Sequence, residues 1–106
     1  MKEELIELAD KINFRSMFFP SNIELVSYKE KRKHYLWMCE LQQYIRKTYS
    51  IDIVIIPNVI RYEYVIYYKY PLKAERNIYF FETYEEALET ALVRLIKLIK
   101  DIRDEN

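Results

Sequence analysis

None of the 106 residues is glycine. Glycine takes positive φ at no steric cost and lets backbone approach a ligand, so phosphate-cradling loops and dinucleotide fingerprints are built on it. Walker-type and Rossmann-type sites are therefore disfavoured from the outset. Corners that need a left-handed residue fall mainly to asparagine, the next most tolerant side chain. Asn13, Asn22, Asn58 and Asn77 each lie between apolar segments and mark the expected turns.

The segments between these corners differ in apolar period. Lys2–Ile12 carries Leu5, Leu8 and Ile12 at helical spacing, with charges on the other side. Asn13–Lys33 loses that period at Pro20, Ser21 and Asn22 and reads as a long connection, with an extended piece at Ile23–Ser27. From His34 to Tyr49 the apolar residues Trp37, Leu41, Tyr44 and Ile45 recur every three or four positions and predict a second helix. Ile51–Ile56 is rich in β-branched residues and stops at the turn pair Pro57–Asn58. Val59–Tyr70 then reads as a second strand, Pro71–Asn77 as a looser turn and Ile78–Phe81 as a third strand. Thr83 followed by Glu86 has the spacing of a capping box, and Tyr84–Arg103 reads as a long helix with a broad apolar stripe. The expected architecture is one α+β domain over residues 1–106. Its order is helix, helix, three-stranded antiparallel meander, helix, with the helices on one face of the sheet.

Alternation assigns the strand residues to faces. Ile51, Ile53, Ile55, Tyr64, Ile66, Tyr68, Ile78 and Phe80 form the set expected beneath the helices. Val54, Ile56, Val65, Tyr67, Tyr79 and Phe81 form the opposite set, with Asp52, Arg61, Glu63 and Lys69 as a polar border. Each large aromatic can bury on the order of 150–250 Å². An apolar patch of that size exceeds what monomers usually leave exposed, so these six residues are the candidate partner-binding surface. A second copy of the chain is one partner such a face fits, since a two-fold axis matches a patch with itself.

The same sequence argues against catalysis. His34 is the only histidine and Cys39 the only cysteine, so a multi-histidine metal site cannot be assembled within one chain, and a Ser-His-Asp arrangement would have to be built on His34 alone. The expectation is a non-enzymatic protein with no cofactor and no metal site. Seventeen lysines and arginines balance seventeen aspartates and glutamates, so no net field draws the chain to phosphate or anionic lipid. Nucleic acid is the alternative partner, through Lys29, Lys31, Arg32, Lys33 and His34 with tyrosines as stacking platforms. A lone cysteine, no leader-like start and no apolar run near twenty residues point to a cytoplasmic protein that does not enter a membrane.

Tyr35-Leu36-Trp37-Met38-Cys39-Glu40-Leu41-Gln42, the Ile51–Pro57 strand, Thr83-Tyr84-Glu85-Glu86-Ala87-Leu88-Glu89 and Leu95-Ile96-Lys97-Leu98-Ile99 together resemble a family. It is a group of small uncharacterised proteins encoded by phages, prophages and other mobile elements of gut Bacteroidetes. The resemblance covers about Tyr35 to Ile99 and is most specific at the helix start around Thr83. It implies provenance, with no activity or ligand to carry over. An accessory factor that binds a host protein or defence system is the expected role, and a nucleic-acid-binding factor in the element's replication or regulation is the alternative.

Overall fold

The computed structural model describes residues 3–17, 31–68, 73–76 and 80–104. Three helices, α1 (Glu3–Lys11), α2 (Lys31–Tyr49) and α3 (Tyr84–Asp104), accompany three strands, β1 (Ile51–Pro57), β2 (Tyr62–Tyr68) and β3 (Lys73–Arg76). The strands form one antiparallel sheet in the order β1-β2-β3. The α+β class and the meander are those the sequence predicts.

The core gathers where apolar periods of both kinds coincide. Ile51 and Ile53 of β1 and Tyr64 and Ile66 of β2 face Leu88, Leu92 and Leu95 of α3 and Trp37, Leu41 and Ile45 of α2. Helices α2 and α3 pack on the sheet, and α1 packs on α3 through the face that buries Leu5, Ile6, Leu8 and Ala9. Trp37 is wholly buried, as its place on the apolar stripe of α2 requires.

Among the described residues, left-handed backbone sets the direction of the chain at two places. Asn13 (φ 63°) closes α1: its N–H donates to Asp10 O at 3.0 Å and the Phe14 N–H to Ala9 O at 3.0 Å, a Schellman closure. The reversal turns Phe14 into the core, edge-on to Trp37 at 5.5 Å between centroids and 5.4 Å from Tyr44. The Tyr44 hydroxyl then donates to Ile12 O at 2.8 Å, tying the end of α1 to α2. Ser50 (φ 58°) does the same for α2, donating its N–H to Arg46 O at 3.1 Å as the chain enters β1.

The third strand differs from expectation. β3 lies at Lys73–Arg76, inside the segment read as a loose turn, and pairs with β2 from Tyr68↔Lys73 to Val65↔Arg76. The predicted strand at Ile78–Phe81 falls partly outside the described residues, and its last residue makes a single bridge, Tyr62↔Phe81. An edge strand with three charged residues has no apolar run to find, whereas the Ile-Tyr-Phe-Phe run is apolar on both faces and gives no phase.

Candidate interaction surface

Register fixes what the outer face of the sheet carries. Val54 lies opposite Val65, Asp52 opposite Tyr67 and Ile56 opposite Glu63. On the other side of β2, Val65 lies opposite Arg76 and Tyr67 opposite Ala74. Of the six residues expected to form the patch, Val54 (41%) and Tyr67 (44%) are exposed and Ile56 is half-buried. Val65 sits on the central strand, flanked by both neighbours, and is buried. Tyr79 lies outside the described residues.

Phe81 is on the other face. Its bridge to Tyr62 gives it the phase of Tyr64, on which it stacks at 6.1 Å, and it packs against the core. Phe80, expected beneath the helices, is instead 48% exposed. Arg76 lies opposite Val65 on the outer face and Phe81 opposite Tyr62 on the inner one, so the alternation that puts Ile78 and Phe80 beneath the helices has the opposite phase.

The polar border is organised as ion pairs. Glu63 is buried on the outer face, and the exposed Arg76 guanidinium, diagonal to it across β2 and β3, pairs with its carboxylate. That hydrogen bond, and then the carboxylate charge, raise the Arg76 pKa further. Asp52 pairs with Arg46 of α2 at 3.0 Å. Arg61 is exposed, and Lys69 lies outside the described residues.

A second apolar region, unforeseen in the sequence, caps the β1–β2 hairpin. Asn58 and Arg61 exchange backbone hydrogen bonds at 2.6 and 3.3 Å, which leaves Val59 and Ile60 as a two-residue loop. Two-residue hairpins favour primed turns with positive φ, supplied by Asn-Gly or Asp-Gly. Among the described residues only Asn13 and Ser50 have positive φ, so this loop is not of that kind. Its two β-branched residues point outward, Val59 at 96% and Ile60 at 77% exposure. With Asn58, Arg61 and Phe80 they line a shallow concavity of about 180 Å³. Reading Val59 as the start of a strand hid the tip; the signal was an apolar pair directly behind the turn pair Pro57–Asn58.

The basic segment lies at the start of α2, where Arg32 is exposed and Lys33 and His34 are half-buried, both with interaction partners. Lys29 falls outside the described residues. The first turn of α2 holds no acidic residue, so its cations stand at the positive end of the helix dipole.

Cys39 is half-buried beside a chain of aromatic rings, Tyr35 to Tyr84 at 6.0 Å and Tyr84 to Tyr62 at 6.2 Å. The hydrogen bond to Cys39 and the charge of its sulfur, then burial, push the Tyr35 hydroxyl up to about 12. Burial first, then Cys39 and Glu85, raise Tyr84, partly offset by its bond with Tyr35. These phenols stay protonated at neutral pH and offer no base. Among the described residues no three His, Cys, Asp or Glu side chains are grouped to hold a metal, and no helix is long and apolar enough to cross a membrane. Comparison with known proteins finds no matching family model, no similar curated protein and no similar solved structure.

Proposed function

We propose that the chain is a non-enzymatic accessory factor of a phage or mobile element that works in the host cytoplasm by binding a protein. The contact runs from the hairpin tip, Val59 and Ile60 beside Phe80, toward Val54, Ile56 and Tyr67 on the outer face. One observation carries the reading: Val59 and Ile60 serve neither the turn geometry nor the core, yet they are the most exposed large apolar residues of the hairpin. Places where a sequence breaks a local rule without serving the fold are where function is expected. Apolar anchors at the centre with charges such as Arg61 and the Glu63–Arg76 pair around them have the anatomy of a protein interface. The phage or mobile-element origin rests on the resemblance of Tyr35–Gln42 and Thr83–Glu89.

The test uses a variant that improves the turn while removing the anchors, Val59→Asn with Ile60→Gly. It should fold with an unchanged or raised denaturation midpoint and lose a protein that the native chain captures from host lysate and rebinds when purified. A folded variant that keeps that partner at native affinity removes the tip from the interface. Binding that collapses between low and high salt, with nucleic acid recovered instead of protein, would favour the basic start of α2.

A further inference from the structure

We infer that the outer edge of β1 is closed to strand addition by a side-chain clamp made of Gln42 and Arg46 from α2 together with Asp52. This goes beyond the proposed function and stands whether or not the tip binds a protein. Antiparallel ladders alternate bonded and non-bonded pairs, and the mutual bonds of Asn58 with Arg61 set the phase. Counting back, Ile56, Val54 and Asp52 bond with β2, while Ile51, Ile53, Ile55 and Pro57 turn their backbone groups outward. On an open edge such groups are a template for another strand.

At the middle of this edge both groups are taken. The Ile53 N–H donates to Asp52 Oδ1 at 2.8 Å, and Gln42 Nε2 donates to Ile53 O at 3.0 Å. Arg46 holds the Asp52 carboxylate in place from the end of α2. Pro57 has no N–H to offer at the outer end. A docking strand would have to displace both Ile53 bonds before its central rung could form. The segment so guarded, Ile51–Ile56, is five β-branched apolar residues around one aspartate, the composition that forms stacked sheets when an edge is open. The other edge, β3, is four residues long with three charged, and Arg94 of α3 holds its Glu75 at 3.0 Å. Association of this chain is thereby directed away from backbone pairing and toward side-chain contacts.

The experiment compares the native chain with Gln42→Ala/Asp52→Ala by light scattering and residue-resolved amide exchange over a range of concentrations. In the native chain the Ile53 amide should exchange at least roughly tenfold more slowly than an unprotected amide, independently of concentration. In the double variant, mass should rise with concentration, and protection at Ile53 and Ile55 should rise with it. Self-association through the tip or outer face would raise mass without that β1 protection, and such a result would also overturn the inference. A native Ile53 amide that exchanges freely would overturn the inference. So would a folded double variant of native mass whose β1 exchange ignores concentration. Should the double variant lose the buried fluorescence of Trp37, Gln42→Glu, which sets a carboxylate against the Ile53 carbonyl, is read for the same two outcomes.

Discussion

At Ser50 the chain asks a non-glycine residue to take a conformation that glycine takes freely. Its φ of 58° lets the last turn of α2 close on Arg46 O and release the chain directly into β1. For an ordinary side chain the left-handed region costs about 1–2 kcal/mol, part of which glycine gives back through the entropy of the unfolded chain. Ser50→Gly should therefore stabilise the protein by about 0.5–1 kcal/mol, read as a raised urea midpoint at unchanged slope. An unchanged midpoint would mean that Ser50 is not strained there. Asn13 fills the same role at the end of α1, and the lack of glycine made it legible as a corner. Ser50 is not, because absent glycine points to asparagine, the side chain that best tolerates this region, and nothing marks a serine for it. Asn58 shows the converse: it sits at the expected corner, but with ordinary φ, accepting the Val59 N–H on its Oδ1 at 2.9 Å.

Among the elements, α3 follows most directly from sequence because local and tertiary signals agree. The Glu86 N–H donates to Thr83 Oγ1 at 3.1 Å, the bond a capping residue is chosen for, and the apolar stripe behind it is buried from Ala87 to Ile99. Thr83→Ala should cost about 0.5–2 kcal/mol in stability, and a denaturation midpoint equal to the native one would count against the cap. Helices α1 and α2 were legible for the same reason, a stripe of period 3.6 over nine residues or more. The strands divided by position in the sheet. β1 and β2 carry apolar residues on their helix face and can be phased by alternation, whereas β3, an edge of Lys-Ala-Glu-Arg, contributes main-chain pairing and the ion pairs of Glu75 and Arg76. The candidate site depends on that register. Without the true β3 register nothing in the sequence decides between Phe80 and Phe81, and the exposed one proved to be Phe80.

For the molecule as a whole, the dimensions of 40 × 36 × 19 Å describe a slab about as thick as one helix layer on one sheet. In so thin a body aromatic residues near the layer boundary are only partly covered, and several tyrosines are held there with neighbours that disfavour a phenolate. Burial first, then the charge of Glu75, raises Tyr64, with Arg94 acting the other way. Tyr84 is raised as well, and Tyr35 titrates at about 12 against an ordinary 10. The sign of the consequence follows from proton counting. Below the unfolded value both states keep the proton and the full contribution is present. As pH rises from there toward 12, the unfolded chain gives up the Tyr35 proton while the folded one retains it, so stability falls. Urea midpoints should accordingly decline above about pH 10, and Tyr35→Phe should decline less steeply because one late-titrating phenol is gone. Tyrosinate absorbance supplies the direct reading: the folded chain should lose a component with a midpoint near 12 on this substitution. Identical alkaline slopes for the native chain and the variant would show that the Tyr35–Cys39 contact does not hold the proton.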